Sequence, residues 1–323
     1  MFPITTAGNI VSKSKPNDRY NVSVSVKRSV NDMPKMSVVV VTHERPDFLR
    51  AALQSVCTQT IQPFQIIVVN DCSRADYEPV LGEFHQSNIV YLRLAEKRGA
   101  NEARNAGVRI ATGDIVCFLD DDDIWLGGFL EAHSRAYLES HDVDAVICGH
   151  RIMESVDRIN INSKVLVSAK ELRLGNRFSG MSGFSARRSI LLQTPFDPEL
   201  KNGQDWDLYV RLIQRESKFI NIRCALFLYR KGTPNGITEE VKKMDLMQIE
   251  SRLLSARKHR AWLGETAYKR RVAEQILSYL PNKRHKFCWI KKAVELAGCK
   301  ATIQTLVLKI VHRVSQLSIV NRA

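Results

Sequence analysis

Apolar runs that do not alternate with polar residues most constrain this chain: Ser37-Val38-Val39-Val40-Val41, Gln65 to Val69 and Ile115 to Leu119 are each apolar nearly throughout. A strand with one wet face would read apolar, polar, apolar, so these runs need cover on both faces, as in a mostly parallel sheet sandwiched by helices. Helix signals lie between them. Pro46 followed by Phe48, Leu49, Ala52, Leu53 and Val56 predicts a helix beginning at the proline, Tyr91 to Leu94 a third short strand, and Ala103 to Ala111 a helix stopped by Gly113. The chain is therefore expected to be α/β, and ligands of such sheets sit at the carboxyl ends of the strands.

Those ends are where polar residues collect: Thr42 and His43 after the first strand, Asp71 after the second, and four consecutive aspartates, Asp120 to Asp123, after the fourth. Carboxylates a few ångström apart raise one another's pKa, and a hard divalent ion such as Mg²⁺ or Mn²⁺ relieves the repulsion while leaving positions for phosphate oxygens. The alternative at this point is a solvated acidic turn. A dinucleotide-binding domain is disfavoured because Thr42-His43-Glu44-Arg45 stands where a Gly-x-Gly-x-x-Gly turn would be, and no Walker-type phosphate loop is present.

With 323 residues, 44% hydrophobic and 25% charged, the chain is long enough for one large domain and an appendage. Seven scattered cysteines without a Cys-x-x-Cys pair argue against a disulfide scaffold or zinc site and for a reducing, cytoplasmic setting. No signal-peptide pattern or membrane-spanning run is read. Three regions are expected: a mobile tail over 1–34, a main α/β domain over 35–235 and a basic helical region over 236–323, with helices near 239–262, 265–280 and 284–317. Lys and Arg number 48 against 34 Asp and Glu, and residues 281–323 hold nine of them against Glu295 alone. There Ile303, Leu306, Val307, Ile310, Val311, Val314 and Leu317 recur at helical spacing. This stripe either packs on the main domain or lies on an anionic membrane surface. Nucleic acid is disfavoured, since no recognised binding signature accompanies the charge.

Five segments in order, Ser37 to Leu49, Val69 to Ser73, Gly99 to Gly107, Phe118 to Trp125 and Gly203 to Leu212, resemble the family 2 inverting glycosyltransferases, including those of bacterial polysaccharide and lipopolysaccharide synthesis; the resemblance covers about residues 36–230. It implies a GT-A fold, the Rossmann-like mixed sheet of nucleotide-diphospho-sugar transferases, here with a C-terminal helical extension. It implies that Thr42, His43 and Asp71 hold the base of a nucleotide sugar, most often UDP-linked, although His43 stands where Tyr is common and Glu44 where Asn is usual. Arg104 matches an arginine that pairs with a nearby aspartate or the nucleotide. Asp122 matches the direct ligand of Mn²⁺ or Mg²⁺, with Asp120 or Asp121 on the ribose or on a metal-bound water. Asp205 matches the catalytic base that deprotonates the acceptor hydroxyl, preceded by Gln204 in place of the usual Glu, and Gly180 to Ser185 the acceptor-side segment. The implied acceptor is a saccharide or lipid-linked saccharide, and the implied location the cytoplasm or the inner face of the cell membrane. Asp207, about 100° round the helix from its neighbour at each step, is expected to cap or to pair with Arg211. A nucleotidyltransferase and a catalytically silent binding protein are the other readings.

Overall fold

A computed structural model of the chain describes residues 33–233 and 236–320, with side chains as far as residue 311. All but the end of the expected N-terminal tail lies outside the described residues. The four expected strands are β1 (Met36–Thr42), β2 (Gln65–Asn70), β3 (Ile89–Arg93) and β4 (Ile115–Asp120). β1 lies between β2 and β4, parallel to both, with Val39 beside Ile67 on one side and Phe118 on the other, and β3 lies outside β2.

Beyond β4 the sheet turns mixed, running on through β8 (Phe184–Arg187), β6 (Val143–Ile152), β9 (Lys218–Tyr229) and β5 (Ile124–Trp125), with β7 (Ser155–Asn160) against β6. The helices α1 (Pro46–Cys57), α2 (Glu78–Gly82), α3 (Ala100–Ile110), α4 (Phe129–Glu139), α5 (Ala169–Leu172), α6 (Arg188–Gln193) and α7 (Gln204–Gln214) cover it. Alternate strand residues explain the two-sided burial. Val39, Val41, Ile67, Val69 and Phe118 meet Ala103 of α3 and Trp206 and Leu212 of α7, whereas Val38, Val40, Ile66, Val68 and Leu119 meet Leu49 and Leu53 of α1 and Phe129 of α4. Each such aliphatic side chain contributes about 1.5–3 kcal/mol on burial, which fixes the strand register and so lines up the carboxyl ends of β1, β2 and β4.

The C-terminal region differs from the three helices expected. It holds α8 (Ile237–Lys243), α9 (Ile249–Lys258), α10 (Arg260–Ile276) and α11 (Lys286–Val320). The predicted first helix stops at Met244 because Asp245 and Gln248 form a reciprocal capping box that starts a new turn. Gly264 (φ 71°, ψ 160°) and Gly298 (φ 81°, ψ 161°) break α10 and α11 internally, in a backbone region that only glycine enters readily. Ile249, Leu253, Val272, Ile276, Trp289, Ala293 and Ala297 make a core of their own, while Leu263 of α10 joins the sheet's core and Tyr268 packs against both. Leu306 packs there, but Ile303, Val307, Ile310 and Val311 of the expected stripe are more than half exposed. Val314 and Leu317 have side chains outside the described residues. No described helix is long and apolar enough to cross a membrane.

Candidate active site

The carboxyl end of β1 opens the site. Thr42, buried, donates to Asp121 Oδ2 at 2.8 Å and lies 3.0 Å from the Tyr77 hydroxyl. His43 has Nδ1 2.8 Å from the Asp71 carbonyl and Nε2 2.9 Å from Lys97 Nζ. A carbonyl only accepts, so Nδ1 donates to Asp71 and Nε2 is left to accept from the lysine, and the ring is gripped from both sides. Glu44, in the left-handed region at φ 57°, accepts the backbone N–H groups of Arg74 (2.6 Å) and Ala75 (3.2 Å), which hold its carboxyl below the usual range and tie the β1 and β2 loops together. Asp71 accepts the N–H groups of Arg98 (2.7 Å) and Gly99 (2.8 Å) at the start of α3, one on each oxygen, and each oxygen keeps a further lone pair.

The four aspartates divide by alternation. Asp121 is 6% exposed and Asp123 3%, and both are fully engaged by the protein. Asp121 takes the Thr42 hydroxyl and Arg45 Nη1 (3.3 Å); Asp123 takes the Ser182 hydroxyl (2.6 Å) and the Arg230 backbone N–H (3.0 Å), pinning β9 and the small-residue loop to the end of β4. Burial, reinforced by the charges of Asp122 and Asp120 and opposed by Arg45 and Thr42, pushes the Asp121 carboxyl up to about 7; burial likewise raises Asp123 and Asp122. Asp120 and Asp122, with side chains 35% and 21% exposed, face outward. Asp120 pairs with Arg104 Nη2 at 2.5 Å, and Asp122 lies 3.4 Å from Arg45 Nη1 while its carbonyl accepts Arg230 Nε at 3.0 Å. Arg104 is itself buried, its guanidinium over the Phe196 ring, and Asn105 beside it exchanges two hydrogen bonds with the Phe196 backbone.

Among the described residues no three Asp, Glu, His or Cys side chains close round a cation. The outward pair of hard carboxylate oxygens nevertheless fits a divalent ion whose remaining positions come from phosphate and water, the usual way of holding Mg²⁺. Asp121 is thus placed behind the pair rather than beside it.

Asp205 stands across the loop. Gly203, at φ 68° in the left-handed region, turns the chain into α7 and makes Asp205 its second residue. Its Oδ1 accepts the Trp206 N–H (2.7 Å) and its Oδ2 accepts Asn176 Nδ2 (2.7 Å). Asn176 also donates to the Ser179 carbonyl (3.3 Å), and Ser182, three residues on, donates to Asp123 and accepts the Asp120 N–H. The segment 176–182 therefore connects Asp205 to the aspartate cluster by hydrogen bonds, and the buried Tyr209 feels the charges of both Asp205 and Asp120. Asp207 is fully buried and meets Arg211 (2.8 Å), Lys258 (2.9 Å) and His259 Nε2 (2.7 Å), so the expected Arg211 pair is present and extends to the C-terminal helices. Sequence reasoning missed Arg45, Arg230 and Asn176. Arg45 lies within a segment that was read, but only the fold brings Arg230 and Asn176 to the site.

Outward carboxylates at the strand ends, a basic rim and a separate carboxylate on a helix stand together on a mixed sheet of the GT-A kind. The mannosyltransferase PcManGT of Pyrobaculum calidifontis, solved with GDP-Man and Mn²⁺, superposes with a TM-score of 0.57 at 16% identity over 86% of this chain and 80% of that one. TarS of S. aureus, solved with UDP-GlcNAc, gives a TM-score of 0.57 at 16% identity over 81% and 71%. The profile described as Glycosyl transferase family 2 matches residues 37–197. An uncharacterized glycosyltransferase of Bacillus subtilis, YwdF, is 30% identical over 60% of this chain and 74% of its own length. The GalNAc(5)-diNAcBac-PP-undecaprenol beta-1,3-glucosyltransferase of Campylobacter jejuni is 29% identical over 64% and 68%. The chain belongs to glycosyltransferase family 2 and is a glycosyltransferase.

Proposed function

We propose that the protein transfers a sugar from a UDP-sugar to a hydroxyl of a lipid-linked saccharide, with inversion, in cell-surface polysaccharide synthesis on the inner face of the membrane. The observation that carries this reading is the pairing of outward Asp120 and Asp122 with Asp205 at the far end of one hydrogen-bonded segment. Asp122, with Asp120, would hold Mn²⁺ or Mg²⁺. That ion supplies a Lewis acid for the diphosphate and offsets charge on the departing nucleotide. Thr42, His43 and Asp71 receive the base, and Arg45, Arg104 and Arg230 add positive charge where phosphate oxygens would lie. Asp205, its orientation set by Asn176 and the Trp206 N–H, takes the proton of the attacking hydroxyl in a single displacement. A UDP donor is supported by TarS, although PcManGT holds GDP-Man; a lipid-linked acceptor is supported by the Campylobacter relative's name. The exposed apolar face of α11 beside Lys309 suits an anionic bilayer that would present such an acceptor.

The test is a melting series with UDP, GDP and CDP, each with Mn²⁺ and with EDTA. Ligand at a hundred times its dissociation constant stabilises by about 2.7 kcal/mol, a shift of a few degrees. UDP with Mn²⁺ should raise the midpoint and EDTA should abolish the rise; an equal or larger shift with GDP would move the donor assignment away from UDP.

A further inference from the structure

Beside Asp205, between α7 and the C-terminal helices, lies a cavity of about 300 Å³ whose wall includes Asn202, Gly203, Arg252, Arg271, Glu274 and Ser278. Its charge is unbalanced. Arg271, Arg270, Lys309 and Arg177 all act on Glu274, and Arg252 adds a fifth cation close enough to disfavour the charge of Lys309. Burial and the neighbouring Arg271 push the Arg252 guanidinium down to about 10, and burial lowers that of Arg271.

The two arginines differ in how they are satisfied. Arg252 donates to the Gln275 carbonyl (3.1 Å), the Ser278 hydroxyl (3.0 Å) and Asn202 Oδ1 (3.4 Å). Arg271 stacks its guanidinium 4.6 Å from the Trp206 ring centroid, yet its buried Nε has no acceptor and no hydrogen bond or ion pair joins its guanidinium to any described residue. A Cβ added at Gly175 would sit 3.0 Å from Nη1, and one at Gly203 would sit 4.0 Å from Nη2, so the group lies between the two turns that carry Asn176 and Asp205. Glu274 and then Asp205 are near enough to favour its charge, though neither is hydrogen-bonded to it. A planar five-donor fork held by stacking, in a cavity where cations outnumber the one carboxylate Glu274, has no oxygen acceptor within hydrogen-bond reach, and phosphate oxygens match that fork.

We infer that this cavity binds a diphosphate of the acceptor through Arg271 and Arg252, and that the diphosphate is carried next to the sugar receiving the transfer. The C-terminal helices then belong to the acceptor site, because α9 and α10 supply both arginines. This rests on Asp205 marking the acceptor side.

Inorganic pyrophosphate is the probe, titrated calorimetrically into the full chain in EDTA, where the uncompensated aspartates repel it from the donor site. Wild type should bind it. Arg271→Gln and Arg252→Gln should each weaken binding about tenfold or more, since a hydrogen bond to a charged group is lost, whereas Asp122→Asn should not weaken it. The midpoint shift with UDP and Mn²⁺ shows that each variant is folded and reports separately on the donor reading; if Arg271→Gln does not fold, Arg252→Gln decides. No binding by wild type, or unchanged binding by the folded variants, would overturn the inference. So would glycerol phosphate binding as tightly as pyrophosphate, which would point to a lipid headgroup.

Discussion

Four adjacent aspartates do different work because β4 ends at Asp120 and the chain turns at once, the Asp123 N–H closing back on the Asp120 carbonyl at 3.1 Å. Asp121 and Asp123 turn inward and become fixed points for Thr42, Arg45, Ser182 and β9, while Asp120 and Asp122 are left at the surface. Sequence placed the cluster correctly at the end of a strand but did not give the register among the four, since that depends on Ser182 and Arg230, 59 and 107 residues away from Asp123. Asn176 illustrates the same limit. It follows a glycine in an unpatterned stretch, and only folding brings it to Asp205. Its role is one of positioning: Asn176→Ala should lower kcat by about tenfold to a hundredfold, the effect of losing a hydrogen bond to a charged group, with the donor KM and the UDP melting shift unchanged. A donor KM that rises in step would place Asn176 in donor binding instead.

Among the elements, α7 carries most of the mechanical burden. One face of it is core, through Trp206 and Leu212; its start presents Asp205, and Asp207 ties it to α9 and α10 through Lys258 and His259. The helical spacing in the sequence was enough to foresee the Asp207 to Arg211 pair, and Pro46 was enough to start α1, because both are contacts within one element. In the C-terminal region the break at Gly264 falls where one helix was expected to give way to the next, but the first helix stops early at the Asp245–Gln248 capping box, and Gly298 breaks the last through a positive φ that no periodicity records. Burial opposes the Asp207 charge, but His259, Arg211 and Lys258 outweigh it and hold the carboxyl down at about 2. A native pKa below the unfolded one means that the ionised carboxylate stabilises the fold above about pH 4, and that this contribution is lost as pH falls from about 4 towards 2. Asp207→Asn should therefore cost about 3 kcal/mol in urea unfolding at pH 7, in the range for breaking a buried ion pair, with a smaller gap from wild type below pH 4. A gap that stays constant with pH would mean that Asp207 contributes by packing rather than by charge.

At the scale of the molecule, a parallel half-sheet that ends in the aspartate cluster joins a mixed half-sheet and helices that supply Asp205 and the basic cavity. The first half was legible because buried parallel strands read as unbroken Val and Ile runs; β6 and β9 were not read, since their pairing across some seventy residues leaves no local pattern. On α11 the face formed by Ile303, Val307, Ile310 and Val311 remains uncovered among the described residues. The full chain should sediment with vesicles containing phosphatidylglycerol at low salt and be released at high salt, and the double change Val307→Asp with Ile310→Asp should weaken the association. Binding to neutral vesicles alone, or none at all, would remove the membrane from the account.

The central claim is that the carboxylates divide the labour, Asp122 holding the metal and nucleotide, and Asp205 performing the proton transfer. The most direct measurement follows UDP release from a panel of UDP-sugars with Mn²⁺, alongside the UDP melting shift, in wild type, Asp122→Asn and Asp205→Asn. Asp122→Asn should lose both the melting shift and turnover, whereas Asp205→Asn should keep the shift and lose turnover by about a hundredfold or more, the scale of general-base catalysis. Turnover surviving in Asp205→Asn, or a UDP shift surviving intact in Asp122→Asn, would contradict it.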